Sequence, residues 1–232
     1  MTRTIIVAPH PDDAELAMGA TIARMVAAGW HVFVLDLTDG EPTPRGSREI
    51  RARETANATA ILQITQRACL QWPNRYLEAT LENRRQLAEQ IRLYRPDILF
   101  GPLTPDDHPD HVAVATLIEG ARFEAKLHKT NMAGSPHWTP RTYGYYSAHR
   151  RHHGVPSFIV DGTDFWDKKI AALHAYESQI SGCLPDDRVS LLERVEAVGR
   201  YFGQTIGRRH AEPFSCFGPI AVSKMEWLAQ TD

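Results

Sequence analysis

The sequence predicts an α/β chain built on an open, mostly parallel sheet with helices on both faces. Two observations carry that expectation. Short apolar runs recur at 4–8, 31–38, 68–72 and 97–102, as expected of strands buried on both faces. Helix-length segments at 14–29, 48–62 and 79–94 separate them. Strand, helix and strand within residues 4–38 make a βαβ unit, which demands a parallel pair and a right-handed crossover.

Each element has its own warrant. "TIIVA" (4–8) is short, apolar and rich in β-branched residues. The segment 14–29 is apolar or small almost all round, with Gly29 as its stop. "HVFVLDLT" (31–38) is the second strand, and the Pro and Gly of "EPTPRGS" (41–47) make a loop. A helix over 48–62, a strand at "ACLQW" (68–72) and a helix over 79–94, stopping before Pro96, continue the alternation. "DILFGP" (97–102) is the fourth strand; "TPDDHPDH" follows at once, and Pro109 suits the first turn of a helix reaching about Lys126. Beyond it, "TYGYYS" and "SFIVD" read as strands, and 165–179 and 190–204 as helices. These are expected to extend the sheet and roof its active edge. "HRRHHG" (149–154) is a dense basic cluster, read either as a solvated loop or as a basic lip for an anionic substrate.

At 232 residues the chain is long enough for one sizeable domain, and 43% hydrophobic content is ordinary for a soluble protein. A formal net charge of −2 gives no reason to expect nucleic acid or a membrane surface as partner. No signal peptide and no membrane span are read from the sequence. Cys69, Cys183 and Cys216 are far apart and form no C-x-x-C pair. Reduced thiols in a cytoplasmic protein are therefore expected.

Ligands of open parallel sheets bind beyond the carboxyl ends of the strands. Two His/Asp clusters fall at such ends: His10, Asp12 and Asp13 after the first strand, and His108, Asp110 and His111 after the fourth. Either alone has a plain account, since Asp at a helix start is favoured by capping and by the dipole. Two on matching strand ends point instead to a metal. A catalytic zinc needs about three protein ligands and an open position, and together the clusters offer a surplus for base and oxyanion duties. One of Asp12 and Asp13 can bind the metal while the other faces the attacking water. The dinucleotide reading fails, because "APHPDDAELAMG" has no G-x-G-x-x-G and its anionic residues repel phosphate. There is also no P-loop and no G-x-S-x-G elbow.

"APHPDDAELAMGATIA" with a downstream "HPDH" resembles the LmbE-like (PIG-L-type) zinc de-N-acetylases. The likeness continues through "LDLTDGEPT", "RARETANATAIL", "LQWPNRYL", "SFIVDGTDFWDKKIAALHAYESQ" and "IGRRHAEPF". It implies a Rossmann-like single domain over 1–232, a Zn2+ cofactor, and hydrolysis of the N-acetyl group of an N-acetylglucosaminyl small molecule. The same resemblance makes His10, Asp13 and His111 the metal ligands and Asp12 the general base. It gives His108 to the acetyl carbonyl or the departing amine, and Asp110 to holding a histidine in its working tautomer.

Substrate contacts are expected from Glu41, Asn74 and Arg75, which follow the second and third strands, and from Arg51. A helix-surface pair of Arg51 with Glu54 is the alternative for that arginine. The C-terminal likeness is closest to the branch of bacillithiol-pathway deacetylases acting on N-acetylglucosaminyl-malate. Asp107, Asn74 and His210 depart from that branch, which has a basic residue, an Asp and a Tyr there. Inositol-linked and chito-oligosaccharide conjugates are the alternative substrates. A phosphoesterase would want a second metal and more ligands, and a non-catalytic sugar-binding protein would not need Asp12. The resemblance also implies a homo-oligomer.

Overall fold

A computed structural model of the chain describes residues 1–149, 154–181 and 189–221. Residues 150–153 of the basic cluster, with Arg150 and Arg151, and Cys183 lie outside the described residues. The strands are β1 (Arg3–Ala8), β2 (His31–Thr38), β3 (Gln66–Trp72), β4 (Ile98–Pro102), β5 (Arg141–Tyr145), β6 (Phe158–Asp161) and β7 (Ala211–Cys216). The helices are α1 (Asp13–Ala27), α2 (Arg48–Leu62), α3 (Leu81–Tyr94), α4 (Pro109–Ala125), α5 (Trp166–His174), α6 (Glu177–Ile180) and α7 (Leu191–Thr205).

The seven strands form one sheet in the order β3-β2-β1-β4-β5-β7-β6. Pairing is parallel from β3 to β5 and antiparallel where β7 meets β5 and β6. The chain winds outward from β1 through β2 to β3, then returns to place β4 on the other side of β1. That reversal opens a crevice beyond the carboxyl ends of β1 and β4, where both His/Asp clusters emerge.

Period-two alternation divides the core. Ile6, Ala8, Val32 and Val34 pack with Met18, Ile22 and Tyr176 on one face. Ile5, Val7, Phe33, Leu35 and Leu99 pack with Leu87, Ile91, Val114 and Leu117 of α3 and α4 on the other. Local signals set the helix starts: Ser47 accepts the Ile50 N–H for α2, Thr80 accepts the Asn83 N–H for α3, and Ser190 with Glu193 forms a capping box for α7.

Three features differ from the sequence expectation. Helix α1 is not continuous, because Met18 has non-helical angles (φ −145°, ψ 28°). The expected helix over 165–179 divides into a 3-10 turn at Thr163–Phe165, then α5 and α6. Tyr176 sits at the second break (φ −90°, ψ 53°), its hydroxyl donating to Glu15 Oε1 at 3.1 Å. Strand β7 has no counterpart in the sequence expectation, and its Pro213 is unusual in a strand flanked on both sides. It is tolerated because the Phe214 carbonyl accepts the Ser157 N–H at 2.8 Å on the β6 side. The neighbouring Pro213 nitrogen therefore faces the other way, past Phe214, where pairing with β5 ends.

His210 belongs to this packing and not to the crevice. Its ring stacks on Trp166 at 4.4 Å, and Glu196 joins His210 Nε2 (2.9 Å) and Trp166 Nε1 (2.7 Å). A Cβ on Gly199 would lie 2.1 Å from the Trp166 ring. Gly199→Ala is expected to destabilise the fold by about 1–3 kcal/mol, measured as a lowered midpoint in denaturant.

Candidate metal centre and active-site cleft

Directly after β1, residues 9–12 make a tight turn into α1. Asp12 takes a left-handed backbone conformation (φ 108°), a strained state for a non-glycine residue, of a kind that concentrates at functional sites. The two adjacent carboxylates diverge. Asp13 Oδ2 lies 3.0 Å from His10 Nδ1 and 3.2 Å from His111 Nε2. Asp12 Oδ2 lies instead 3.3 Å from Arg51 Nη1, and the same guanidinium donates to the Pro11 carbonyl.

From the other side of the crevice, the β4–α4 connection supplies the rest. His108 caps α4, its Nδ1 accepting the Asp110 N–H at 3.2 Å. Nδ1 being the acceptor, the proton of neutral His108 sits on Nε2, an assignment that follows from the hydrogen-bond pattern. Asp110 accepts from His10 Nε2 (3.0 Å), Arg75 N–H (2.9 Å) and Leu77 N–H (3.2 Å). Asp106 accepts from His111 Nδ1 (3.1 Å), from the Ser147 hydroxyl, and from the His108 N–H (2.8 Å).

Among the described residues, two sets of three donors lie within 4.8 Å of one another: His10, Asp13, His111 and His10, His108, Asp110. The hydrogen bonds decide between them. In the second set, Asp110 already accepts from two backbone N–H groups as well as from His10, and His108 Nδ1 is spent on the helix cap. In the first, carboxylates behind the ligands fix both imidazoles: Asp110 holds His10 through Nε2, and Asp106 holds His111 through Nδ1. This leaves His10 Nδ1 and His111 Nε2 facing Asp13. His111 Nε2 is buried and makes no hydrogen bond of acceptable geometry. A buried polar atom of that kind is costly, and a divalent cation shared with Asp13 and His10 would satisfy it. The residues therefore fit a metal.

The metal-free electrostatics agree. Burial opposes charge on His111, but the Asp13 carboxylate and the hydrogen bond to Asp106 outweigh it and raise the imidazole to about 10. Burial likewise opposes His10, which Asp110 and Asp13 lift to about 9. Asp13 itself falls well below the usual carboxylate range, the two histidines overcoming burial. Both imidazoles thus carry protons at pH 7 in the metal-free protein and must lose them to become ligands. Metal uptake is expected to release protons, and metal affinity to weaken as pH falls below about 10 and more steeply below about 9. Calorimetric titrations in buffers of different ionisation enthalpy measure this directly. A binding heat independent of buffer would contradict it.

The remaining groups are tuned differently. Burial raises Asp12 to about 6, with Arg51 opposing the rise and Asp13 reinforcing it. Burial, with repulsion from His111 and His10, lowers His108 to about 4, so it is neutral at pH 7. The centre opens into a cleft of about 1020 Å³ whose walls include Arg45, Arg51, Asn74, Arg75, Asp107, His149, Gln179 and Arg194.

Not every candidate contact faces this space. The Glu41 carboxylate turns back on its own loop, accepting from the Thr43 N–H (2.7 Å) and hydroxyl (2.6 Å). Asn74 and Arg75 line the cleft and donate to the carbonyls of Gly40 and Pro42 at 2.7 and 2.8 Å, which ties the loop after β3 to the loop after β2. Arg51 is buried beside Asp12; Glu54 is taken up by the Ser178 N–H and hydroxyl, each at 2.7 Å. Trp72 is core, its Nε1 donating to Gln86. Sequence reasoning gave no role to Asp106 or Ser147, and it had read only as part of the basic cluster at 149–154 a third residue, His149. The last brings a fourth imidazole to the mouth, its ring 5.2 Å from His108 and 5.4 Å from His111. Asp106 was legible as a further carboxylate at the same strand end; Ser147, after β5, had no signal of its own.

Paired His/Asp loops at the strand reversal of this fold make a candidate metal centre. The family model for GlcNAc-PI de-N-acetylase (PIG-L) matches residues 5–121, which contain His10, Asp12, Asp13, Asp106, His108, Asp110 and His111. The diacetylchitobiose deacetylase of Thermococcus kodakarensis is 30% identical over 226 residues, covering 90% of this chain and 81% of its own. The 1D-myo-inositol 2-acetamido-2-deoxy-α-D-glucopyranoside deacetylase of Thermomonospora curvata is 28% identical over 244 residues, covering 77% and 80%. The crystal structure of a conserved protein from Thermus thermophilus matches with a TM-score of 0.87 at 38% identity, covering 96% of this chain and 97% of its own. The chain belongs to the PIG-L de-N-acetylase family. No helix among the described residues is long and apolar enough to cross a membrane.

Proposed function

We propose that the chain removes the N-acetyl group of an N-acetylglucosaminyl small molecule by metal-dependent hydrolysis, giving acetate and a free amine. The observation that carries this reading is the divergence of Asp12 and Asp13, one carboxylate set between two imidazoles and its neighbour at the cleft beside Arg51. Two of the relatives named above are deacetylases, of diacetylchitobiose and of a 2-acetamido-2-deoxy-glucopyranoside of myo-inositol, and the proposal extends their substrate class to this chain.

His10, Asp13 and His111 would hold the cation, with zinc the ion implied by the donor set. When bound, such an ion supplies Lewis-acid polarisation of the amide and acidifies water. Asp12, ionised above about pH 6, takes the proton of the attacking water and returns it to the departing nitrogen. His108, neutral, offers its Nε2–H to the carbonyl oxygen as negative charge develops there. Arg51 holds the Asp12 carboxylate toward the cleft, and Asp110 and Asp106 hold the two imidazoles in their working tautomers. Since the base must be ionised, kcat/KM is expected to fall on the acid side as pH drops through the Asp12 pKa. A bound cation lowers that value further, so the limb lies at or below about pH 6.

The particular conjugate proposed is N-acetylglucosaminyl-malate, as in bacillithiol biosynthesis. Arg45, Arg75 and Arg194 in the cleft walls, against the carboxylate of Asp107, favour an anionic aglycone. A single domain, a cytoplasmic setting with reduced thiols, and a homo-oligomer belong to the same proposal. Relative kcat/KM for N-acetylglucosaminyl-malate, the inositol conjugate and diacetylchitobiose tests the aglycone. Preference for the malate, reduced by Arg75→Ala, is expected. Equal or greater turnover of a neutral conjugate would overturn the choice while leaving the deacetylase reading intact.

A further inference from the structure

The helix that presents Asp13 is broken one turn further on. Met18 leaves helical geometry, so residues 13–17 form a separate short turn, far below the length at which a helix holds itself together in water. Packing behind this turn is incomplete: Ala14, Leu16 and Ala17 are buried in the core, but a cavity of about 40 Å³ abuts Leu16 and Ala17, with Lys169 and Glu212 also in its walls. The break frees N–H groups at the start of the second half of α1. Glu212 of β7 takes them up, Oε1 accepting from Ala20 at 3.1 Å and Oε2 from Thr21 at 2.7 Å. A carboxylate at that point is favoured both as a hydrogen-bond acceptor and by the helix dipole.

The carboxylate is itself locked. Lys169 of α5 donates to Glu212 Oε1 at 2.6 Å, and both residues are almost wholly buried. Room for the lysine is made by Gly19, directly after the break, where an added Cβ would lie 2.9 Å from Lys169 Cγ. On the other side, Glu15 anchors the short turn by its ion pair with Arg67, at 2.5 Å, and Arg67 grips Asp36 with two bonds at 2.7 and 2.9 Å. The turn bearing the metal-binding carboxylate is thus suspended between two buried charge clusters, neither of which lines the cleft.

We propose that Glu212, locked by Lys169, is a positioning residue for the metal centre: by capping the break in α1 it fixes the Asp13–Ala17 turn against His10 and His111. This rests on the reading of His10, Asp13 and His111 as metal ligands. Zinc affinity is measured by competition with a chelator, alongside the thermal midpoint of the metal-free protein and the split between kcat and KM. Glu212→Gln is expected to weaken zinc by about tenfold, the lower end of losses on removing support behind a ligand, and to lower kcat with KM little changed. Gly19→Ala, which displaces Lys169 without removing a charge, is expected to shift zinc affinity in the same direction, and it carries the test if Glu212→Gln does not fold.

Gly134→Ala serves as control, straining a left-handed backbone position (φ 77°) against Arg92 of α3, on the face of the sheet away from α1. It is expected to lower the thermal midpoint and leave zinc affinity unchanged. Wild-type zinc affinity in folded Glu212→Gln, or in Gly19→Ala where that variant carries the test, would overturn the proposal, as would an equal loss in Gly134→Ala. The zinc measurement needs no substrate. A protein that binds zinc but releases no acetate would therefore overturn the deacetylase reading alone.

Discussion

Asp12→Asn is expected to lower kcat by about 10²–10⁴-fold, the range for loss of a general base, while leaving metal affinity unchanged. Asp12 belongs to neither candidate ligand set, its Oδ2 being engaged by Arg51 at 3.3 Å. Asparagine preserves size, and its oxygen still accepts from Arg51, so the strained turn at residue 12 has no steric reason to relax. What disappears is an ionisable group lifted by burial to about 6, where a carboxylate is basic enough to accept a proton yet ionised at neutral pH. The acid limb of the pH profile should vanish with it. Equal losses of kcat and of metal affinity would instead make Asp12 a ligand.

Asp13→Ala is expected to abolish metal binding and activity together. Asp13 Oδ2 meets His10 Nδ1, His111 Nε2 and the His10 N–H, at 3.0, 3.2 and 3.0 Å, so its removal takes away one ligand and the counter-charge of two others. Leaving buried charge uncompensated costs about 3–5 kcal/mol, and the metal-free variant should also melt earlier near neutral pH. Asp106→Ala acts on the same centre more mildly: it frees His111 Nδ1 to turn, and a 10–100-fold loss of metal affinity is expected, roughly the range for partners behind a ligand. Equilibrium dialysis with zinc separates the two variants. Stoichiometric, tight zinc in Asp13→Ala would contradict the ligand assignment.

The parallel half of the sheet was legible because burial on both faces writes itself as short apolar runs. The bounds expected for β2 and α2 are those observed. Pro109 marked the start of α4, and the two His/Asp clusters could be placed on neighbouring strand ends from topology alone. The unread parts share a cause, which is long-range compensation. The break at Met18 is stabilised by Glu212, 192 positions away from Ala20 in the chain, and no local propensity announces it. Strand β7 hides behind Pro213, acceptable only because pairing with β5 ends at Phe214. Glu41 sits at the right strand end for a substrate contact, yet the short loop lets Thr43 capture its carboxylate. Asp106 went unassigned because its partner His111 is reached only once the loop has folded.

The central claim is that His10, Asp13 and His111 hold a metal that this chain uses to cleave an N-acetyl amide. It is tested most directly by acetate release from N-acetylglucosaminyl-malate, inositol-linked N-acetylglucosamine and diacetylchitobiose. Each is offered to zinc-loaded, chelator-stripped and zinc-restored protein. The account predicts release from at least one conjugate, lost on stripping and recovered on restoration. Release that survives stripping, or none from any of the three with zinc bound, would contradict it.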